Sequence, residues 1–582
     1  MHRILIANRG EIARRIIRTC RSLGHESIAV YADPDVDAPH VAEADHAERI
    51  GPAALDESYL SIDAILAAAE RSGATHVHPG YGFLAERTDF AAAVMDAGMT
   101  WIGPSPASVA SMGSKIEARS VADRAGVPLI PGYNESQDDA ALAAAADEIG
   151  YPVLVKASAG GGGKGIRIAH APDEFATALA DARIESRRAF GDDDVIVERY
   201  ITRPRHIEVQ IIADKHGTVA DLGTRECSVQ RRYQKVLEEA PAPNLPPETE
   251  VAMRQAAVAL ASGIGYDSAG TVEFIVDAGS DEFFFLEMNT RIQVEHTVTE
   301  QITGVDLIAL QIAAADGQPQ PVAATAWDEM RVAGLAHSFE ARINAENPWE
   351  GHVPQTGDVS TVAVGAEIDG DAVRWDAAIE SGSVISPHYD SMVGKLVVTG
   401  PDRIAAIDRL TQVLDATVVE GVVTNLGFHR WLVRQPEVRG ATVTTRFLDE
   451  TPLPSASPFD GAPADSPWAT RHARRVTPHR SAHTYASPTR DGSWSGVGAA
   501  GAVGVDVRAP FPGLITAINV AAGEAVEAGQ TLCTIEAMKM LHPITVAGSA
   551  TVAEVLVEVG QQVDGDQPLI TFNTPEPTGD SQ

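Results

Sequence analysis

Phe283-Phe-Phe-Leu-Glu287-Met-Asn289-Thr-Arg291-Ile-Gln293-Val-Glu295 is the stretch that says most about the fold. From Glu287 onward a polar side chain stands at every second position, with a mostly apolar residue between each pair. This period of two predicts an extended strand whose five polar groups share one face. The earlier run Thr271-Val-Glu273-Phe-Ile-Val-Asp277 predicts the antiparallel partner, in a hairpin that turns at Gly279-Ser280.

The register of this hairpin brings two carboxylates together. Glu273 and Glu287 fall on neighbouring strands, within reach of one shared ion. Proteins hold Mg²⁺ with one or two carboxylates together with substrate phosphates. A solvent-facing strand also alternates, but it seldom offers this row of polar groups beside a second, buried glutamate. The pattern therefore favours a magnesium site over a plain surface strand.

A glycine run lies upstream, in Tyr151-Pro-Val-Leu-Val-Lys156-Ala-Ser-Ala-Gly-Gly-Gly-Gly-Lys164-Gly165. A strand is predicted to deliver Lys156 into a loop that contains Gly161, Gly162, Gly163 and Lys164. Backbone N–H groups of such a loop approach phosphate oxygens closely, and lysines supply positive charge. Glycine-rich hairpins are also common without a ligand, so a plain flexible loop remains open on this stretch alone.

The N-terminal region alternates short apolar runs with helical stretches. Residues 4–7 lead into a helix that runs through Arg21, and residues 27–31 and 75–78 form further short strands. Strands separated by helices predict a parallel, doubly wound sheet. From about residue 115 to 330 the pattern becomes α+β.

The C-terminal half changes character twice. Residues 331–450 are again mixed, with strands over 373–377 and 395–399 and an amphipathic helix over 404–417. Residues 451–505 are rich in Pro, Ser, Ala and Gly, which indicates a linker with at most a small ordered element.

An internal repeat follows the linker. Gly523-Glu-Ala-Val-Glu-Ala-Gly-Gln-Thr-Leu532 recurs as Gly560-Gln-Gln-Val-Asp-Gly-Asp-Gln-Pro-Leu569. Two such glycine-turned units predict a small all-β sandwich over 506–574, and the tail 575–582 is expected to be disordered. The sequence Glu536-Ala-Met-Lys539-Met540 joins the two repeats, so Lys539 is expected at a hairpin tip between the halves.

Composition excludes several classes of protein. The chain has 582 residues, a net charge of −35 and three widely spaced cysteines. Such acidity disfavours nucleic acid and anionic membranes, and no window is apolar enough to span a bilayer. Without a signal-peptide pattern or a disulfide framework, we expect a cytoplasmic protein. Lysine is rare, with only seven residues, so each lysine is a candidate for a role that arginine cannot fill.

Two resemblances follow from these motifs. The Ala-Met-Lys-Met stretch resembles the biotinyl domain family, which implies that biotin is attached to the Lys539 amine. Residues 1 to about 445 resemble the biotin carboxylase family of the ATP-grasp superfamily. The segments that carry this second resemblance are 6–12, 78–84, the glycine loop, 230–235, 239–243, 287–296 and 342–346. In one chain, the two look like the α subunits of bacterial acetyl- or propionyl-CoA carboxylases.

The resemblance implies a domain plan. It comprises a doubly wound N-terminal domain (1–114), an ATP-grasp domain (115–330), a mixed α+β C-terminal carboxylase domain (331–450), a linker that could include a subunit-docking element (451–505), a biotinyl hammerhead domain (506–574) and a tail (575–582).

The resemblance also implies roles for individual residues. ATP would be bound by Lys115, Lys156, Gly161, Gly162, Gly163, Lys164, Glu198, Tyr200, Ile201, His206, Gln230 and Tyr233. Mg²⁺ or Mn²⁺ would be held by Glu273, Glu287 and Asn289. Bicarbonate would be bound by Lys235, Arg291, Gln293 and the Val294 backbone. Glu295 would be the base, and Arg342 would face the ureido oxygen of biotin. Tyr233 stands where many relatives have histidine, which puts one nucleotide contact in doubt.

The implied activity is ATP- and bicarbonate-dependent carboxylation of biotin on Lys539 through carboxyphosphate. Expected partners are a carboxyltransferase β subunit, a biotin protein ligase and further copies of this chain. The resemblance places such a protein in fatty acid biosynthesis. Two other readings remain: an ATP-grasp ligase that joins a carboxylate to an amine without biotin, and a non-catalytic biotinylated scaffold. Methylcrotonyl-CoA, pyruvate and urea are further acceptors that the sequence leaves open.

Overall fold

A computed structural model describes most of the chain. The residues described are 1–157, 166–190, 193–322, 327–329, 336–365, 372–456, 458, 494–495, 507–511, 513–537, 540–546, 548–563, 565 and 567–573. Four predictions concern residues outside these ranges, wholly or in large part: the glycine loop with Lys164, the linker 451–505, the tail 575–582 and the Lys539 attachment point. Among the described residues, no helix is long and apolar enough to cross a membrane.

The N-terminal region is a five-stranded parallel sheet flanked by helices, which confirms the doubly wound prediction. In spatial order its strands are His46–Gly51, Glu26–Ala32, Arg3–Ile6, His76–His78 and Thr100–Trp101. Its helices are Gly10–Leu23, Pro39–Glu43, Ile62–Ser72 and Thr88–Asp96, with a 3₁₀ turn at Asp33–Asp35. Ile4, Leu5 and Ile6 are fully buried because helices cover both faces of the central strand.

A four-stranded antiparallel sheet follows. Its strands in spatial order are Gly132–Tyr133, Val195–Arg199, Val153–Ala157 and Ile166–Ala169. The helices of this segment are Pro106–Gly113, Lys115–Arg124, Asp139–Ile149 and Pro172–Phe190. Lys156 therefore lies near the end of a central strand, as the sequence predicted.

The largest element is an eight-stranded sheet that crosses the predicted boundary near residue 330. Its strands in spatial order are Phe283–Asn289, Ala269–Asp277, Pro204–Ala213, Val219–Arg231, Gln234–Ala240, His337–Asn344, Met392–Gly400 and Val373–Ala377. Leu237 pairs with Ala341, so strands from both sides of that boundary share hydrogen bonds. The central and C-terminal segments thus form one continuous β framework.

Helices and short strands complete this part of the chain. The helices are Pro247–Gly263, His296–Thr303, Leu307–Ala315, Arg403–Ala416, Leu426–Leu432, Pro436–Arg439 and Phe447–Glu450. The short strand pairs are Glu346–Asn347 with Val353–Pro354, Gly357–Asp358 with Val384–Ile385, and Thr361–Ala363 with Val418–Glu420; a 3₁₀ turn lies at Pro348–Glu350. The helix predicted over 404–417 is confirmed, and Ile407, Leu410 and Val413 on its predicted stripe are buried.

The C-terminal region is a β sandwich, as the repeat predicted. One sheet contains Trp494–Ser495, Met540–Thr545, Thr531–Ala537, Gly513–Ile518 and Gln562–Val563; the other contains Val507–Arg508, Pro568–Phe572, Ala550–Val555 and Ala525–Val526. The repeated residues Val526 and Val563 are both buried, and Gly523 and Gly560 both adopt a positive φ. The two copies therefore play equivalent structural roles.

Candidate active site

A cavity of about 430 Å³ opens where the large sheet meets the carboxyl ends of the parallel strands. Ligands of doubly wound sheets characteristically bind at this edge. Eleven of the predicted site residues line the cavity: His206, Tyr233, Lys235, Glu273, Glu287, Asn289, Arg291, Gln293, Val294, Glu295 and Arg342. Residues 8–12 and 81–83, which follow two of the parallel strands, close the opposite side.

Lys235 is the positive centre of the cavity. Its Nζ lies 2.6 Å from Glu208 Oε2, 2.9 Å from Glu273 Oε1 and 2.6 Å from Glu295 Oε1. Burial lowers the pKa of a lysine, but Glu208, Glu273 and Glu295 outweigh that effect and hold the pKa of Lys235 well above its ordinary value. The ammonium is therefore permanently charged.

Glu295 lies between two cations. Its second oxygen, Oε2, accepts a hydrogen bond from Arg342 Nη2 at 2.9 Å, while Arg342 Nε donates to Glu238 Oε1 at 2.5 Å. Burial acts to raise the pKa of Glu295, but Lys235, Arg342 and Arg225 outweigh it and hold that pKa well below its ordinary value. Glu295 is 2% exposed and fully ionised, at the bottom of a cavity lined by anion-binding groups.

The carboxylate pair predicted from the hairpin is confirmed. Glu273 and Glu287 are directly paired across the two strands. Burial acts to raise the pKa of Glu273, but Lys235 and His206 outweigh it, so this carboxylate stays ionised. The pKa of Glu287 is raised, first by burial and then by the charge of Glu273. A cation bound between them would relieve this repulsion, so the two residues fit a divalent metal ion together with the Asn289 amide.

The prediction of one continuous strand through Glu295 is wrong. The strand ends at Asn289, and Glu295 occupies the position before the helix His296–Thr303 with φ −81° and ψ 7°, without a side-chain capping hydrogen bond. Beyond Asn289 the chain leaves the sheet, although the partner strand continues from Thr271 to Ala269. Arg291 and Gln293 nevertheless reach the cavity, from the loop that joins the strand to the helix.

A buried polar layer beneath the cavity was missed by the sequence analysis. Arg225 is fully buried and donates to Glu208 Oε1 at 2.5 Å, Gln210 Oε1 at 2.6 Å and Gln293 Oε1 at 2.9 Å. Gln293 in turn donates to Glu273 Oε1 at 2.8 Å. The signal was present in the strand Pro204–Ala213, where His206, Glu208 and Gln210 alternate with apolar residues. These contacts fix the orientation of the cavity wall.

Among the remaining predicted ATP-binding residues, those whose side chains the structure describes do not line this cavity. Lys156 Nζ lies 2.5 Å from Glu198 Oε2, on the adjacent strand, and Arg119 Nη1 lies 2.6 Å from the other oxygen of Glu198. Tyr200 and Ile201 follow directly after that strand, Gln230 lies in the strand Val219–Arg231, and Lys115 begins the helix Lys115–Arg124. Gly161, Gly162, Gly163 and Lys164 lie outside the described residues.

The β sandwich lies near the mouth of the cavity. Tyr233 lines that mouth, is 69% exposed and has a φ of +66° in the turn that follows Arg231 and Arg232. Burial lowers the pKa of His542, in the sandwich, to about 4, and the charges of Arg232 and Arg231 contribute. Val353, from the carboxyl-terminal part of the large domain, packs into the core of the sandwich.

Four protein families match successive parts of the chain. They are the biotin carboxylase N-terminal domain (residues 1–109), the ATP-binding domain of the carbamoyl-phosphate synthase L chain (114–322), the biotin carboxylase C-terminal domain (340–450) and the biotin-requiring enzymes (499–572).

Individual relatives agree with this order. The biotin-dependent acyl-coenzyme A carboxylase α3 subunit of Mycobacterium leprae is 39% identical over 96% of this chain and 97% of its own length. The α subunit of the mitochondrial methylcrotonoyl-CoA carboxylase of soybean (Glycine max) is 48% identical over 77% of this chain, but the match covers only 60% of that longer protein.

Solved structures give the same result. The biotin carboxylase of Campylobacter jejuni, in a complex with an ATP ligand, is 40% identical and superposes with a TM-score of 0.71. That match covers 77% of this chain and 99% of the other. The biotin carboxylase domain of Hydrogenobacter thermophilus 2-oxoglutarate carboxylase, bound to MgADP and bicarbonate, is 42% identical over 77% of this chain and 97% of its own, with a TM-score of 0.70. The chain therefore belongs to the biotin carboxylase family and carries a C-terminal domain of the biotin-requiring type.

Proposed function

We propose that this chain carboxylates biotin attached to Lys539, using ATP and bicarbonate, and delivers the carboxyl group to a separate carboxyltransferase subunit. One observation supports this proposal above the others. A buried, ionised carboxylate, Glu295, lies between Lys235 and Arg342 in a cavity that also contains Arg291 and a carboxylate pair suited to a metal ion. Such a site combines a proton acceptor with positive groups that attract an anion.

Glu295 acts on bicarbonate. Arg291, Gln293, the Val294 backbone and Lys235 hold the anion, and Glu295 takes its proton as a bicarbonate oxygen attacks the γ-phosphorus of ATP. The bond from the γ-phosphorus to ADP breaks, which yields carboxyphosphate and ADP. In the structure Lys235 and Arg342 depress the pKa of Glu295. An anion that shares these two cations weakens their hold on Glu295 and makes it a stronger base.

Positive groups stabilise the transferred phosphoryl group. Glu273, Glu287 and Asn289 hold Mg²⁺ or Mn²⁺, which neutralises charge on the phosphates. Lys115, Lys156 and the glycine loop contact the phosphates, and residues 198–201 with His206, Gln230 and Tyr233 border the nucleotide. In the structure Lys156 is engaged by Glu198 at 2.5 Å. The Lys156 ammonium has three N–H donors, so it can keep this ion pair and also donate to a phosphate.

Carboxyphosphate would split into CO₂ and phosphate, the phosphate would take the proton of the biotin ureido nitrogen, and that nitrogen would accept the CO₂. Arg342 lines the cavity, which supports its proposed contact with the ureido oxygen of biotin. A biotin protein ligase attaches biotin to the Lys539 amine. We also propose that 451–505 serves as a linker; a flexible chain of about 55 residues has a root-mean-square span of about 40 Å, which would allow the carrier to reach a second active site. We further propose the domain limits 1–114, 115–330, 331–450, 451–505, 506–574 and 575–582.

We propose acetyl-CoA or propionyl-CoA as the acyl acceptor, a role in fatty acid biosynthesis, assembly of this chain as a homo-oligomer with β subunits, and a cytoplasmic location. The length match to the Mycobacterium leprae acyl-CoA carboxylase subunit supports this choice. A methylcrotonyl-type acceptor is the second candidate, because the soybean subunit shows 48% identity. Purifying the biotinylated chain from its host and identifying the co-purifying β subunit separates the two.

Glu295→Gln tests the proposed chemistry. The variant is expected to bind ATP but to lose bicarbonate-dependent ATP hydrolysis, by at least about 100-fold. Glu282→Gln is the matched control, because Glu282 is an exposed glutamate whose contact is a surface ion pair with Arg199. Near-normal turnover in Glu295→Gln would remove Glu295 from its role.

Two further measurements address the alternative readings. An avidin blot that detects no biotin on the chain would favour the ligase without biotin. Equal signals from wild type and Lys539→Arg would assign the biotin to another residue. Biotinylation without any bicarbonate-stimulated ATP hydrolysis would favour the scaffold. Deletion of 459–490, which keeps the sandwich strand Trp494–Ser495, is expected to abolish acyl-CoA carboxylation while carboxylation of free biotin continues; retained overall activity would contradict the shuttle.

A further inference from the structure

Lys395 is a completely buried lysine that the roles above do not use. Its relative exposure is 0%, and it lies in the strand Met392–Gly400 of the large sheet. Burying an ammonium is costly unless it is paired and hydrogen-bonded. Lysine is also rare in this chain, so a buried lysine at position 395 suggests a specific role for its ammonium group.

The ammonium of Lys395 contacts the segment that carries Glu295. Its Nζ donates to the backbone oxygen of Val294 at 2.5 Å, and it lies 3.5 Å from Glu11 Oε2. The Val294 carbonyl belongs to the same planar peptide unit as the Glu295 nitrogen. The hydrogen bond to this oxygen therefore fixes the orientation of the peptide plane that precedes the Cα of Glu295.

The sheet register places Lys395 beside Arg342. These two residues are direct partners across antiparallel strands, so their side chains leave the same face of the sheet. Arg342 Nη2 binds the Glu295 carboxylate at 2.9 Å, while Lys395 binds the carbonyl just before Glu295. One cross-strand pair thus holds Glu295 at both its side chain and its backbone.

We propose that Lys395 is a positioning residue for the bicarbonate site, which fixes the Val294–Glu295 peptide so that Glu295 faces the bound anion. This inference rests on the proposed role of Glu295. Lys395 does not line the cavity itself and acts through the backbone of Val294. Displacements of about 1 Å at a reacting group cost on the order of 100-fold in rate.

The neighbourhood of Lys395 explains why a cation is tolerated there. Glu11 accepts a hydrogen bond from Tyr81 through its other oxygen, and Asp376 is the partner of Lys395 on the next strand. Lys395 lowers the pKa of Glu340 as well, although burial dominates and raises that pKa to about 8. The ammonium therefore sits among acidic groups from the N-terminal domain and the large sheet.

Lys395→Met in the full chain tests the inference, with steady-state kinetics of ATP hydrolysis. We expect kcat/KM for bicarbonate to fall by about 10- to 100-fold. The bicarbonate-independent ATP hydrolysis and the KM for ATP should stay within about twofold, a split that general loss of fold would not produce. Lys215→Met is the matched control, because Lys215 also donates to a backbone carbonyl, that of Ala315 at 2.7 Å, away from the cavity.

A double variant separates positioning from charge balance. Lys395→Met leaves the buried Glu11 without its nearby cation, which could unfold the chain. In Lys395→Met/Glu11→Gln that charge is removed, yet the bicarbonate defect should exceed that of Glu11→Gln alone, which is the reference because Glu11 lines the cavity. Recovery of bicarbonate kinetics in the double variant would overturn the inference, as would a single variant whose kcat/KM for bicarbonate matches that of Lys215→Met. If Glu295→Gln itself retains turnover, the proposed function fails instead.

Discussion

Replacing Lys235 by methionine removes the cation at the centre of the cavity. Three carboxylates, on Glu208, Glu273 and Glu295, lie within 2.9 Å of its Nζ and lose their common partner. Breaking a buried ion pair by deleting one partner costs about 3–5 kcal/mol, because the remaining charge stays buried. We expect the free energy of unfolding to fall by that amount at about pH 8.

The loss in the free energy of unfolding caused by Lys235→Met should depend on pH. In the variant the pKa of Glu273 or Glu295 rises, so the folded chain takes up a proton that the unfolded chain does not. Stability then falls as pH rises above the unfolded pKa of glutamate, and protonation restores about 1.4 kcal/mol per pH unit below the raised folded pKa. The destabilisation at about pH 6 should therefore be smaller than at about pH 8, by up to about 2.7 kcal/mol.

Urea unfolding at the two pH values, followed by tryptophan fluorescence, measures this difference. Lys215→Met is the control, because that variant loses one hydrogen bond to a carbonyl and leaves no carboxylate cluster unpaired. It should cost about 1–2 kcal/mol at either pH. If Lys235→Met costs no more than the control, or costs the same at both pH values, the electrostatic description of the cavity is wrong.

Three further predictions concern other positions. Burial raises the pKa of Glu340 to about 8, so the folded chain holds a proton that is lost on unfolding, and stability declines between about pH 5 and 8. Glu340→Gln should flatten this decline. A pH series of urea midpoints checks this, and an unchanged slope would refute it. Gly223→Ala should destabilise the chain by about 2–4 kcal/mol in the same assay, because φ is +82° and a Cβ would lie 2.2 Å from the Trp327 ring. Gly265→Ala is the control: it has open space around it and should cost about 1 kcal/mol. Tyr233→Ala should raise the KM for ATP by less than about tenfold and leave kcat unchanged, since the ring is 69% exposed; a large fall in kcat would contradict this.

Local patterns predicted local structure well. The alternating runs placed Glu273 opposite Glu287, and the apolar stripe placed the helix Arg403–Ala416. Both features depend on residues that are close in sequence or joined by a tight turn. The same holds for the repeated turns of the β sandwich.

Features that depend on distant pairing were missed. Period two suggested a strand through Glu295, but the chain leaves the sheet after Asn289 and enters the helix His296–Thr303. The contact of Lys395 with Val294 joins residues 101 positions apart, and no local pattern encodes it. The same applies to the pairing of Leu237 with Ala341, which unites two predicted domains in one sheet.

Transfer of label from radioactive bicarbonate to the chain tests the central claim most directly. The biotinylated full chain is incubated with ATP, Mg²⁺ and labelled bicarbonate, separated from small molecules at alkaline pH, and counted. The account predicts label on the wild-type chain that requires ATP and is absent from both Lys539→Arg and Glu295→Gln. Label that persists in either variant, or no label on a wild-type chain that is fully biotinylated, would contradict it.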